Sequence, residues 1–176
     1  HLIVVWKGLT AEDVAALRTQ PARELSAMDG SAIRFADAAG PWTVIGESAA
    51  GTQFAGKVET GEAVRIFTGA VVPKGADTVI IQENVSREGD VVTLTGDAPI
   101  KAGQNVRYAG GDFVEGTVVV PKGAELHARH VALAAMAGHG ELTVHRKLKV
   151  ALVSTGNELV TPGSPCAEDQ IPASNG

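Results

Sequence analysis

Hydrophobic and polar positions follow three different rhythms along the chain. Over residues 10–20, Val14 and Leu17 fall on one helical face, which predicts a short helix. Thr10 is placed to N-cap it, Asp13 stands in as a shortened capping-box acid, and Pro21 ends it. The stretch 26–30 is small, polar and glycine-containing, and reads as a structured loop. From 42 to 120 the rhythm changes to short β-branched runs at 43–47, 63–67, 77–85, 90–96 and 117–120. Turn signals at Gly61-Glu62, Pro73-Lys74-Gly75, Glu88-Gly89-Asp90 and Lys101-Ala102-Gly103 separate them. Strands at this spacing predict a small antiparallel barrel or sandwich.

Two further segments complete the pattern. Residues 127–137 (HARHVALAAMA) predict a second helix, with Gly138 as its C-cap and Val131, Leu133, Ala134 and Met136 as core or dimer-packing positions. Residues 147–156 begin basic, run continuously apolar and end in Ser-Thr-Gly. That fits a buried parallel strand of an α/β sheet, with a functional loop at its carboxyl end. Ser174, Asn175 and Gly176 read as a helix N-cap with no helix behind it, so the third segment is expected to be truncated. The heptapeptide VVPKGAD at 71–77 recurs as VVPKGAE at 119–125. It reads as one turn used twice, with proline fixing φ at the second turn position and glycine closing it.

Composition narrows the function classes. The 176 residues are 44% hydrophobic but only 4% aromatic, and 21 glycines with eight prolines fit a turn-rich, β-rich protein. A net charge of −5 argues against a nucleic-acid-binding surface, which needs clustered Lys and Arg. A single cysteine, Cys166, rules out an internal disulfide. No apolar run approaches the ~20 residues that span a bilayer. The apolar opening at 1–6 lacks the charged start and cleavage site of a signal peptide, so the expectation is a cytoplasmic protein with no membrane partner.

Four loops join glycine to a carboxylate or hydroxyl: Ser26 to Gly30, Thr68-Gly69-Ala70, Arg107 to Asp112, and Ser154 to Leu159. Bare backbone N–H groups there can approach an anion, beside oxygen donors of the kind Mg²⁺ takes with phosphates. Asp-Gly is also an ordinary turn dipeptide, and an acid beside a strand is usually just solvated. Arg107 suits an anion or a structural carboxylate equally. His127 and His130, three apart, with His139 and His145 following, lack a third convergent ligand and read as surface and helix-end residues.

Taken together and in this order, the loops resemble the signature of the MoeA family of molybdopterin molybdenumtransferases, to which the gephyrin E domain also belongs. The matching strings are SAMDGSA at 26–32, GEAVRIFTGAVVPKGADTVI at 61–80, RYAGGD at 107–112 and STGNEL at 154–159. The resemblance implies insertion of molybdate into adenylylated molybdopterin with release of AMP, Mg²⁺ as cofactor, and a homodimer. It implies a mixed α+β fold in three parts. Residues 1–25 and 113–146 would form a helical and extended, dimer-forming domain. A β-barrel-like domain at 26–112 would be inserted in it, and 147–176 would open a truncated α/β molybdopterin-binding domain.

Matched position by position, the resemblance makes Asp29, Thr68, Asp112 and Glu158 catalytic candidates, with the three acids also candidate metal ligands. Gly30, Gly69, Ser154, Thr155 and Gly156 become candidate substrate- or cofactor-binding positions. With half of the expected cleft missing, the fragment is expected to be inactive alone. The alternative is a non-catalytic scaffold that holds peptides, as gephyrin E-type members do. Four places depart from the family pattern, one of them Pro172-Ala173, where a Tyr/Asp-like pair before Ser-Asn is usual. Ser31 stands where Tyr or Phe is usual, which would open the neighbouring pocket, Gly111 stands where Glu is commoner, and Asn157 where Asp is commoner.

Overall fold

The computed structural model describes residues 8–174, so the apolar opening and the Asn175-Gly176 end of the N-cap signal lie outside the described residues. The chain divides into two compact units, 1–144 and 145–176. The first carries ten short strands: β1 (Val14–Ala15), β2 (Leu25–Ser26), β3 (Gly30–Ile33), β4 (Trp42–Ser48), β5 (Glu62–Ile66), β6 (Thr78–Ile81), β7 (Val85–Glu88), β8 (Val91–Leu94), β9 (Val106–Arg107) and β10 (Val118–Val120). It also holds the helix α1 (Ala128–Met136) and 3-10 turns at Phe35–Asp37 and Gln82–Asn84. The second unit holds β11 (Leu159–Val160) and β12 (Ile171–Pro172), paired in parallel.

At the centre of the first unit lies a six-stranded sheet in the order β6-β3-β5-β4-β8-β7, curled into a half-barrel. The strands fall where the β-branched runs predict them. The pairing is not all antiparallel, however: β4 and β5 run parallel, Thr43 opposite Glu62 and Ser48 opposite Ile66. Residues 49–61 are long enough for the crossover that a parallel pair needs, where a two-residue turn would have forced a hairpin.

Alternation along the strands loads both faces of the sheet with apolar side chains. Ala32, Ile66 and Val79 pack with Ala70 and Val72 on one side. Ile33, Trp42, Ala63, Ile80 and Val92 pack on the other. Each fully buried Val or Ile contributes roughly 1.5–3 kcal/mol. Trp42 keeps its indole N–H satisfied by donating to the Asp37 carbonyl at 2.9 Å.

The first predicted helix does not form. Residues 10–20 are extended, with β1 antiparallel to β10. Their backbone N–H groups donate to carbonyls about a hundred residues on: Ala16 to Thr117 (2.8 Å), Leu17 to Ala137 (2.9 Å) and Gln20 to Phe113 (2.9 Å). A weak local propensity loses to long-range pairing that buries Val14 and Ala16. Thr10 and Asp13, the expected caps, instead clamp the second VVPKGA turn. The Thr10 hydroxyl donates to the Pro121 carbonyl at 2.7 Å, and Asp13 Oδ1 accepts from Lys122 N at 2.7 Å. That turn and its first copy share one geometry. Ala76 N donates to the Pro73 carbonyl and Ala124 N to the Pro121 carbonyl, each at 3.2 Å. Proline thus opens each turn, rather than filling its second position. Glycine holds the third position with positive φ, +86° at Gly75 and +78° at Gly123.

The second predicted helix is α1, with His127 rather than a hydroxyl residue as its N-cap. His130 Nδ1 accepts from the His127 backbone N–H at 3.2 Å, which spends both rings on helix capping. Gly138, at φ +102°, stops the helix. Ala134 and Ala137 are buried beneath it, whereas Met136 is exposed.

The expected buried strand at 147–156 is absent. Leu148, Val150, Leu152 and Val153 are 88%, 77%, 69% and 81% exposed. A parallel strand is stable only between partner strands, and no strand among the described residues runs alongside this segment.

Candidate functional site

Two of the predicted residues meet in one cluster. Asp29 Oδ1 accepts from the Thr68 backbone N–H at 2.7 Å and from its hydroxyl at 2.8 Å. These two bonds favour the ionised carboxyl, with a smaller contribution from Arg65, and hold its pKa below the usual Asp value of 3.8. Oδ2 accepts no hydrogen bond from the described residues and stays available to a ligand.

Local sequence explains the geometry. Ser26 is buried and its hydroxyl donates to the Met28 carbonyl at 2.6 Å, which tightens the loop that carries Asp29. Ser26 N donates to the Ala70 carbonyl and Gly69 N to the Ser26 carbonyl, at 2.8 and 2.9 Å, lacing this loop to the Thr68 turn. Gly69 allows that turn its φ of +81°. Gly30 is required for another reason: a Cβ there would sit 1.9 Å from the Ile80 carbonyl oxygen. Both glycines thus have backbone roles under the cluster.

The other predicted residues stand apart from it. Asp112 is chelated by one guanidinium nitrogen, Arg107 Nη2 lying 2.8 Å from Oδ1 and 3.0 Å from Oδ2. Arg107 therefore pairs with a structural carboxylate. Glu158, Ser154, Thr155 and Gly156 belong to the second unit and are all exposed, and the Glu158 carboxylate lies against its own Gly156. No group of three or more His, Cys, Asp or Glu side chains converges among the described residues. His139 is spent on structure, its Nε2 lying 2.7 Å from the Ala15 carbonyl oxygen.

Reading the motifs singled out neither Arg65 nor Gln82. Arg65 Nη1 donates to the Gly30 carbonyl at 3.0 Å and Nη2 to Gln82 Oε1 at 2.8 Å, while the guanidinium stacks 4.7 Å from the Phe67 ring centre. Arg65 lies inside the twenty-residue block, opposite Ser31 in the β3–β5 register, and only that register shows it to face the site. Beside it a cavity of about 170 Å³ is lined by Ser31, Val44, Arg65, Gln82, Val85, Arg87 and Val92.

Residues 4–138 match the model of the MoeA N-terminal region, domains I and II. The chain belongs to the MoeA family. The molybdopterin molybdenumtransferase of Haemophilus influenzae is 40% identical over 93% of the chain, and that of a Nostoc species 39% identical over 85%. The chain spans 41% and 36% of those relatives' own lengths. A molybdopterin biosynthesis MoeA protein from Pyrococcus horikoshii superposes with a TM-score of 0.82 at 36% identity, over 92% of this chain and 44% of that one. Against the MoeA pattern, Ser31 lines the cavity just described, and Gly111 closes a turn by donating from its N–H to the Tyr108 carbonyl at 3.1 Å. Asn157 lies in the second unit, exposed beside Glu158.

Proposed function

We propose that this chain is the part of a molybdopterin molybdenumtransferase that presents Asp29 and Thr68 to substrate, in the biosynthesis of molybdenum cofactor. The observation that carries the reading is a solvent-facing carboxylate kept ionised by Thr68, with one oxygen unengaged, in a loop laced to the TGA turn. The names of its relatives point the same way. The substrates are adenylylated molybdopterin and molybdate, and AMP is released. Such a reaction needs positioning and charge neutralisation more than a protein nucleophile.

The donor set of Asp29 fits a divalent cation of the Mg²⁺ type, which takes one or two carboxylates and completes its shell with water and phosphate oxygens. Bound there, Mg²⁺ would neutralise charge developing on the phosphate oxygens. Asp112 is already neutralised by Arg107, so it ranks behind Asp29 as a ligand. Glu158, Ser154, Thr155 and Gly156 would contribute from the third-domain side of a cleft completed in a homodimer. On this reading residues 26–112 form a domain inserted between 1–25 and 113–146, and the protein works in the cytoplasm. No helix among the described residues is long and apolar enough to cross a membrane. No observation favours the scaffold alternative.

The test is turnover by the full-length protein. Asp29→Ala is expected to lower AMP release in the presence of molybdate and Mg²⁺ by about 100-fold, the scale of losing one preorganised electrostatic group. Its melting temperature should stay near the parent value, because the Asp29 side chain bonds only to one exposed turn. Unchanged turnover, or an equal collapse of folding, overturns the reading.

A further inference from the structure

We infer that two adjoining hollows on the first unit form a docking groove for an extended peptide segment of a partner protein, one that carries an acidic and a basic side chain close together. The groove lies on the side of the sheet packed by Ala32, Ile66 and Val79, since Val72 of that cluster lines it. The cavity beside Arg65 belongs to the other side, where Val92 packs with Trp42 and Ile80. The docking groove is therefore separate from the site proposed above and does not rest on that reading.

One hollow holds about 200 Å³ and includes Phe54, and the other holds about 390 Å³ and includes Tyr108. Arg23, Val72, Pro73 and Lys74 line both, so the hollows are neighbours across one wall. That wall is fixed from behind. Val72 N donates to the Glu24 carbonyl at 3.0 Å, Val58 N to the Lys74 carbonyl at 2.8 Å, and Ala76 N to the Pro73 carbonyl at 3.2 Å. A Cβ on Gly75 would collide with the Val58 carbonyl, so the turn is seated directly on its neighbour. A surface already ordered in this way spends little entropy on binding.

Charge selects the occupant. The chain is acidic, with 20 Asp and Glu against 15 Lys and Arg, yet two cations stand on this wall. The Lys74 ammonium engages no described residue, and Arg23 makes a single long bond, 3.3 Å to Gln53 Oε1. No carboxylate lines the Phe54 hollow, which leaves both donors to an anion. The Tyr108 hollow differs, because Glu24 and Asp77 also line it. Asp77 is spent on the Phe35 backbone N–H at 2.7 Å and the Thr78 hydroxyl at 2.9 Å. The Glu24 carboxylate accepts nothing from the described residues, and with the exposed Tyr108 ring it suits a cation. A simple polyanion would meet Glu24 as a repulsive neighbour, whereas an acid paired with a base satisfies both hollows.

An extended segment delivers that pair. Alternate side chains of a strand point to one face, so an acid and a base can enter neighbouring hollows while the backbone crosses the Val72-Pro73 wall. Arg23, Gln53, Lys74 and Tyr108 are exposed, so the segment reaches the groove without opening the fold.

Selection from random dodecapeptides displayed on phage, with the whole chain immobilised, tests the groove. Recovered peptides should share an acid and a base at alternate positions. Synthetic copies should bind Lys74→Glu about tenfold more weakly than the parent, and replacing the acid of the peptide by Lys should restore binding to that variant. Glu24→Lys should weaken the same peptides about threefold, with recovery when their base is replaced by Glu. Both side chains are exposed and unbonded, so melting temperatures should match the parent. Should Lys74→Glu fail to fold, Arg23→Gln takes its place under the same criterion. Recovered peptides without the acid–base pair, or peptides that bind the folded variants as tightly as the parent, overturn the groove.

Discussion

Asp29 and Glu158 come from loops of the same composition, an acid beside glycine and hydroxyl residues, yet the chain treats them differently. Asp29 is oriented by two bonds from a turn 39 residues away, on a loop that leads into β3, a strand paired on both sides. Glu158 lies against its own glycine in an exposed segment. A motif of this kind becomes a site only when distant backbone fixes its direction. The half-barrel supplies that backbone for Asp29, and among the described residues nothing comparable surrounds Glu158.

The sharpest way to break this comparison is at the two glycines. Gly30→Ala drives a methyl group into the Ile80 carbonyl, a rigid neighbour, and should cost about 3 kcal/mol or abolish folding in thermal melts. Gly156→Ala meets the movable Glu158 carboxylate and strains a backbone at φ +154°, and should cost about 1–2 kcal/mol, less than Gly30→Ala. Equal losses would show the two loops to be equally constrained.

A smaller effect tests the Thr68 clamp. Thr68→Val keeps the N–H donor and removes the hydroxyl, so the Asp29 pKa should rise toward 3.8, as read by carboxyl NMR titration. The sign for stability follows from linkage. A depressed native pKa gives a contribution that is present above the unfolded value and lost as pH falls through the native one. The variant should therefore lose that contribution at a higher pH than the parent, in the acid range at and below 3.8. An unmoved pKa would mean that the backbone N–H alone sets it.

The smallest effect is expected in the second unit. Leu152→Ser replaces a 69% exposed side chain and should alter stability by no more than about 0.5 kcal/mol in chemical unfolding of the whole chain. A loss of 2 kcal/mol or more would place this segment in a buried setting and erase the contrast.

The legible parts of the fold share one property, a local cause. The runs at 63–67, 77–85 and 90–96 are β-branched and bounded by glycine turns, and they fold as expected. Residues 10–20 are extended because their partners lie about a hundred positions on, where no window of sequence connects them. The apolar run at 147–156 is a strand by composition alone, and composition does not provide a neighbour. In the site, Asp29 and Thr68 are legible through family resemblance, whereas Arg65 and the Ser31 cavity emerge only from the β3–β5 register. A one-residue slip of β5 would have turned Arg65 to the face opposite Ser31.

Gln20 and Phe113 exchange hydrogen bonds at 2.9 and 3.2 Å, so the two ends of the stretch between them lie side by side. A stretch whose two ends meet can be lifted out and replaced as a cassette, with two peptide junctions to rejoin and the β1–β10 pairing left in place. Exchanging residues 22–111 between relatives would then transplant Asp29, Thr68 and the Ser31 cavity in a single step, carrying ligand preference from one protein to another.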